Sequence, residues 1–196
     1  MTPSSVSRRQ LLTQAGLVAA GVAAAGGAAA SQIEQSQTPA DFRVQNGRIR
    51  QSVMGWCFKP MPVPELIRHC ADIGLVAIEG IDPKFYPAAR KAGLGVSLVS
   101  SHGFAAGPAD PENHAQCVAK LRQSIDTAVE FGAPSVITFT GMSVKGMTES
   151  TAEKNCLDCW KQVIAYAEEK EITLVLEHLN SRDDSHPMKG HPGYFG

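Results

Sequence analysis

The side chains best able to do chemistry in this 196-residue chain follow short apolar runs: Trp56 and Lys59, then Glu79, His102, Thr138 and Thr140, and Glu177. The last is the sharpest. Ile172 to Leu176 is an unbroken apolar or β-branched run, and Glu177, His178, Leu179 and Asn180 come directly after it. A run this short, without alternation, suits a strand covered on both faces, as in a parallel sheet. A carboxylate at the carboxyl end of such a strand stands where open α/β sheets and (β/α) barrels keep their chemistry. Taken alone, Glu177 is equally the ion-pair partner of a nearby Lys or Arg. His102 is either a hydrogen-bonded structural imidazole or a ligand or acid–base group. Glu79 reads as a supporting or pocket-wall carboxylate and Trp56 as a piece of pocket wall. Lys59, His186 and His191 read as solvated.

Cys156 and Cys159 form a Cys-x-x-Cys pair, but they fall inside an amphipathic helical pattern rather than at a helix start after a strand. A redox pair uses the helix start to lower its thiol pKa, and zinc would need two further ligands at suitable spacing. Packing is the preferred reading.

The elements that would position these groups alternate. Arg50 to Trp56 is a candidate strand. Val63, Leu66, Ile67, Cys70 and Ile73 make a helical stripe stopped by Gly74. Leu75 to Ile78 is a strand ending in Glu79, and Asp82-Pro83 opens a short helix closed by Gly93. Val96 to Val99 is a third strand, ending in Ser100, Ser101 and His102. Asp110-Pro111 caps a helix with Val118, Leu121, Ile125 and Val129 on its inner face, stopped by Gly132. Ser135 to Phe139 is the fourth strand. Ser150 with Glu153 predicts a capping box, and the helix behind it should turn Leu157, Trp160, Ile164 and Ala167 inward. The run ending in Glu177 is the fifth strand, and residues 181–196 read as a long strand-end loop.

Strand–helix alternation of this kind means a parallel sheet with right-handed crossovers. Either an open doubly wound sheet or the first five strands of an eight-stranded barrel fits. The turn after the first strand, Cys57 to Pro62, has no glycine-rich phosphate loop, which disfavours a nucleotide-binding open sheet. In a barrel all the strand-end groups share one rim, and period-two geometry turns Glu177 inward while His178 faces the helices. The same phase places Glu79 with Ala77 and His102 with Ser100.

Composition sets outer bounds. The chain is 43% hydrophobic and 19% charged with a net charge of −1, an ordinary globular balance that gives no pull toward nucleic acid or anionic membrane. Five cysteines without a scaffold rhythm exclude a stapled mini-domain. The first thirty residues differ in kind. Ser7-Arg8-Arg9-Gln10-Leu11-Leu12 is a twin-arginine pattern, followed by a weakly apolar Ala/Gly stretch and a small-residue cleavage site at Ala28-Ala29-Ala30. We read residues 1–30 as an export signal to the periplasm, residues 31–49 as a polar linker, and residues 50–196 as the folded part. An uncleaved membrane anchor is the weaker alternative, because Gly and Ala make a poor spanning helix. Cleavage removes Arg8 and Arg9 and no acid, leaving 16 basic against 19 acidic residues and no stable membrane contact.

With the strand ends in place, the chain resembles the xylose-isomerase-like superfamily of sugar isomerases and epimerases, in its hydroxypyruvate-isomerase-like branch. The matching stretches are residues 51–58 (QSVMGWCF), 73–81 (IGLVAIEGI), 92–103 (AGLGVSLVSSHG), 112–141, and above all 174–182 (LVLEHLNSR). The resemblance implies an α/β fold of the (β/α)8 TIM-barrel type. Strands one to five and helices one to four would be present, a partial barrel, since a whole one takes about 250 residues. It also implies a divalent metal, Mg²⁺ or Mn²⁺ with Zn²⁺ or Co²⁺ as alternatives, held by strand-end side chains of which Glu177 matches the first. The implied reaction moves a proton between adjacent carbons of a small sugar or hydroxy-carbonyl substrate through an enediolate. Glu177 and His102 would be the catalytic pair, and Trp56, Glu79, Asn180 and Arg182 would bind substrate. Unpaired edges on the first and fifth strands would favour self-association, so a homo-oligomer is expected. Three rivals stand beside this reading: another enzyme on the same barrel, such as an inosose-dehydratase-like one, a periplasmic sugar-binding module without catalysis, and a thiol oxidoreductase built on Cys156 and Cys159. A DNA enzyme on this barrel is disfavoured by the acidic charge.

Overall fold

In the computed structural model of the chain, residues 42–178 are described. The twin-arginine segment, its cleavage site and most of the linker lie outside them, as do Asn180, Arg182, His186 and His191. Residues 42–51 have no regular structure and touch the domain through the Val44 amide, which donates to Ile73 O at 2.8 Å.

The described strands are β1 (Ser52–Met54), β2 (Ala77–Glu79), β3 (Gly95–Val96), β4 (Ser135–Phe139) and β5 (Thr173–Glu177). All pairings are parallel, and the strands lie side by side in chain order. Met54 stands opposite Glu79, Ile78 opposite Val96, and Phe139 opposite Glu177. Between β3 and β4 the ladder shrinks to one bridge, Val99 with Val136. The Val99 amide donates to Ser135 O and the Ile137 amide to Val99 O, both at 3.0 Å. Hydroxyls reinforce this seam: Ser135 Oγ donates to Ser97 O at 3.0 Å, and Ser101 Oγ to Ile137 O. Parallel strands in sequential order with helical crossovers are the barrel arrangement expected from the alternation, and exclude the reversal of order that an open doubly wound sheet requires.

Helices α1 (Val63–Ile73), α2 (Tyr86–Lys91), α3 (His114–Phe131), α4 (Glu149–Trp160) and α5 (Ile164–Glu169) form the crossovers. The stripe read for α1 is the buried one, with Leu66, Ile67 and Cys70 in the core. Gly74 and Gly132 end α1 and α3 in the left-handed region, at φ 86° and 67°, where a side chain would be strained. Asp82 and Asp110 cap as expected, each accepting a backbone N–H two residues on, but the turns they open begin as 3-10 helix. The core lies between the helices and one face of the sheet, around Ile78, Val96, Val99, Leu121, Ile125 and Val136.

Several local expectations are corrected. The cap of α4 is Thr148, whose hydroxyl accepts from the Thr151 amide at 3.2 Å, so Ser150 and Glu153 form no capping box. Leu157 and Ile164 are 44% and 42% exposed, and the buried side chains of this region are Ala152, Cys156, Cys159, Val163 and Ala167. In α3, Val129 is 49% exposed, while Cys117, Ser124 and Ala128 join Leu121 and Ile125 inside. Both shifts have one cause. Small residues let a helix approach the sheet closely, and Ser124 enters because its hydroxyl donates to Ser100 O at 2.9 Å. β1 is shorter than Arg50 to Trp56, because the chain turns into 3-10 helix at Gly55–Phe58. β5 is not covered on both faces: it is the edge of the described sheet, and Leu176 is 38% exposed.

Candidate functional site

Strand phase decides which groups reach the mouth. Val136 and Thr138 face the helices, so Ile137 and Phe139 face the other way. Glu177, opposite Phe139, shares that inner face. These three line a cavity of about 450 Å³ at the carboxyl ends of the strands, together with Met54, Trp56, Ile81, Asp82, Leu98, Ser100 and Ser101. Its size is that of a small-molecule site, and its lining of apolar walls with a few polar groups is the usual composition of one. Glu177 makes no hydrogen bond or ion pair with another described residue, and its side chain is exposed. Asp82, the other carboxylate on the lining, is occupied: it caps Lys84 and pairs with Nζ of that residue at 3.0 Å. Those contacts hold its pKa below the ordinary carboxylate value, the bond from the Lys84 amide first.

Glu79 also faces inward, but its carboxylate is engaged by both oxygens. Ser52 Oγ donates to Oε1 at 3.2 Å and Ser97 Oγ to Oε2 at 2.5 Å. Ser52 belongs to β1 and Ser97 directly follows β3, the two neighbours of β2, so Glu79 ties the first three strands together below the mouth. Sequence reasoning missed both. The available signal was the in-phase position of Ser52 opposite Ala77, one step from Glu79.

His102 is not on the cavity lining. The alternation that placed it with Ser100 ends at Val99, because residues 100–103 are not strand. The ring instead turns to the helix side, where Nε2 lies 3.0 Å from Thr138 Oγ1 and Nδ1 lies 2.7 Å from Gly103 O. The Trp160 indole N–H donates to the same Thr138 oxygen at 3.1 Å. Donor and acceptor chemistry orders the chain. A carbonyl only accepts, so Nδ1 donates to Gly103 O; in the neutral imidazole Nε2 then accepts from the Thr138 hydroxyl, whose oxygen accepts from the Trp160 indole N–H. His102 thus orients the segment behind the mouth. Thr138 and Thr140, read as rim groups, are buried beneath the helices.

Above the helix side, Gly107 and Gly141 bring two loops into backbone contact. A Cβ on Gly141 would stand 2.7 Å from Gly107 Cα, and its φ of 97° also resists a side chain. Next to them the Ala109 amide donates to Thr140 O at 2.9 Å.

A divalent cation requires several oxygen or nitrogen ligands converging on one point. Among the described residues no group of three or more His, Cys, Asp and Glu side chains converges in that way. Glu177 is the one carboxylate on the mouth left unengaged by other described residues, so the described residues alone do not complete a metal set. Nor is any described helix long and apolar enough to cross a membrane.

The fold and the position of this mouth define the class. The profile of the family described as xylose isomerase-like TIM barrel matches residues 67–189, and the chain belongs to that family. No curated protein sequence matches it significantly. Among solved structures it is similar to an AP endonuclease of family 2 from Brucella melitensis, with 19% identity, a TM-score of 0.52, and coverage of 70% of this chain and 55% of the other. The 3-keto-D-glucoside 4-epimerase YcjR of E. coli is similar at 18% identity and a TM-score of 0.54, over 69% of this chain and 57% of that one. A D-psicose 3-epimerase from Clostridium cellulolyticum is similar at 14% identity and a TM-score of 0.55, over 67% and 53%. The chain therefore spans a little over half the length of these structures, and the likeness is one of fold.

Proposed function

We propose that the chain is part of a metal-dependent isomerase or epimerase acting on a small sugar or hydroxy-carbonyl compound, with hydroxypyruvate as one candidate substrate. The observation that carries the reading is Glu177: an unengaged carboxylate on the inner face of β5, at the mouth of a cavity of about 450 Å³. The solved structures named as epimerases lend the substrate class its support. A carbon acid beside a carbonyl is weak, so a base must stand close and the developing oxyanion must be met by positive charge. A divalent cation, once bound, supplies that charge, with Glu177 among its ligands and the others drawn from outside the described residues. Trp56, Ile137 and Phe139 give the substrate an apolar wall that keeps water off the reacting carbons. Ser100, exposed on the lining, offers a hydroxyl to a substrate oxygen, and Asn180 and Arg182 add polar contacts in this proposal. His102 contributes by orientation, holding Gly103 and Thr138, rather than by touching substrate. Export by the twin-arginine route and self-association are parts of the same proposal.

Titration of the full chain with Mn²⁺ by calorimetry tests it, followed by solvent-deuterium exchange into hydroxypyruvate and D-psicose. Glu177→Gln should weaken Mn²⁺ binding by more than the roughly 10–100-fold seen for outer-shell changes and abolish exchange. Unchanged Mn²⁺ affinity in that variant would overturn the assignment. Sugar binding that persists in EDTA, with no exchange in its absence, would replace the enzyme with a binding module.

A further inference from the structure

Residues 42–51 form an arch pinned near both ends to one short stretch of chain. The Val44 amide donates to Ile73 O at 2.8 Å, and the Val76 amide donates to Gln51 O at 3.0 Å. Asn46 and Gly47 lie between these anchors, exposed and outside any helix or strand. Gly47 has a φ of 57°, and a side chain there would meet nothing within 4 Å. Among the described residues, neither the Asn46 side chain nor the Gly47 amide has a hydrogen-bond partner. The other described asparagines are held. Asn113 Nδ2 donates to Gly107 O at 3.3 Å, and Asn155 Nδ2, from within α4, donates to Ala109 O at 2.8 Å.

We propose that Asn46 and Gly47 are a self-modification site, where the asparagine converts through a cyclic imide to aspartate and isoaspartate. Attack by a backbone amide on the side chain before it needs three things. The carboxamide must be free, the N–H must be free, and the attacking residue must leave the ring room to close. Glycine meets the last, because it has no Cβ and a broad choice of φ and ψ. The arch supplies the first two. Its exposed tip is also the kind of position where a change in the backbone is tolerated.

In the proposed reaction a base in solvent takes the Gly47 amide proton. The nitrogen attacks Cγ of Asn46, the N–Cγ bond forms, and the Cγ–Nδ2 bond breaks. Ammonia leaves, taking its proton from solvent. Water then opens the ring. Cleavage of the new bond gives aspartate. Cleavage of the original peptide bond gives isoaspartate, with the main chain routed through the side-chain carbon. The balance is one carboxamide and one water to one carboxylate and one ammonium, with no change of oxidation state. Either product places a negative charge in a stretch whose charged residues are Arg43, Arg48 and Arg50. Isoaspartate also adds a carbon to the backbone between the Val44 and Gln51 anchors, which slackens the arch. The proposal stands apart from the isomerase reading and uses no group on the mouth.

The test ages the full chain in mildly alkaline buffer and digests it with trypsin, which cuts after Arg43 and Arg48 and releases residues 44–48. Fragmentation in the mass spectrometer separates a change at Asn46 from one at Gln45, and isoaspartate methyltransferase labels the rearranged product. The expected result is conversion of Asn46 to both products, faster as pH rises, while Asn113 and Asn155 stay intact. Gly47→Ala should suppress it. Anion exchange isolates the converted chains by their extra charge, and their Val44 amide should exchange hydrogen faster than in the natural chain. No change at Asn46, equal loss at Asn113 or Asn155, aspartate without isoaspartate, or an undiminished rate in Gly47→Ala would each overturn the site. Unchanged exchange at Val44 would overturn the slackening of the arch.

Discussion

Tyr86 and Thr138 show how differently two hydroxyls can sit beneath the same helix layer. Thr138 serves two rings at once, accepting from Trp160 and reaching His102. The Tyr86 ring is fully buried against Phe131, edge-on at 5.2 Å between centroids, but its hydroxyl has no hydrogen-bond partner among the described residues. Burial raises its pKa, so the hydroxyl is also poorly placed to ionise. A buried donor without an acceptor costs about 1–3 kcal/mol. Tyr86→Phe should therefore stabilise the chain by about 1 kcal/mol, read as a higher urea midpoint at unchanged slope; a lower midpoint would mean the hydroxyl has a role not visible in its contacts. At this scale the sequence spoke unevenly. Glu177 was legible because a short, unbroken apolar run pointed at it. The serines on Glu79 were not, since two hydroxyls 45 residues apart become neighbours only once three strands are aligned. The placement of His102 failed for a related reason: it assumed strand geometry past the residue where the strand stops.

Helices carry the next lesson. Apolar spacing found α1 and α3, ran α4 and α5 together as one helix where the chain breaks between Trp160 and Ile164, and glycine fixed where α1 and α3 end. It misjudged which faces are inner, because bulk was taken as the sign of burial. In α3 and α4 the inner faces are instead lined largely by Cys, Ser and Ala, which bring the helices close to the sheet and leave Val129, Leu157 and Ile164 half outside. The start of α4 gives a direct comparison. Thr148 supplies the capping oxygen and Ser150, two residues later, does not. Thr148→Ala should lower stability by about 1 kcal/mol, whereas Ser150→Ala should fall within about 0.5 kcal/mol of the natural chain. Paired thermal melts followed by circular dichroism decide this, and equal losses would remove the distinction.

For the molecule as a whole, alternation left a barrel and an open sheet both standing, the missing phosphate loop disfavoured a nucleotide-binding open sheet, and the resemblance carried the choice of a barrel, with which the family match agrees. The mouth was legible as a location, since every parallel strand delivers its end to the same rim. Its detailed lining was not, because Ile137, Phe139 and Leu98 look like ordinary core residues until strand phase assigns them a side. The join between β3 and β4 has a consequence of its own. The sheet behaves as two leaves, one of three strands and one of two, bound along a spine where Val99 makes the backbone bonds and serine hydroxyls do the stitching. Leu98 and Ile137 face the mouth from opposite leaves. Amide exchange should accordingly be fastest, among core strand amides, at Val99 and Ile137, and a small molecule lodged between the leaves should slow both together. Whatever fills the mouth would then also act as the clasp of the book.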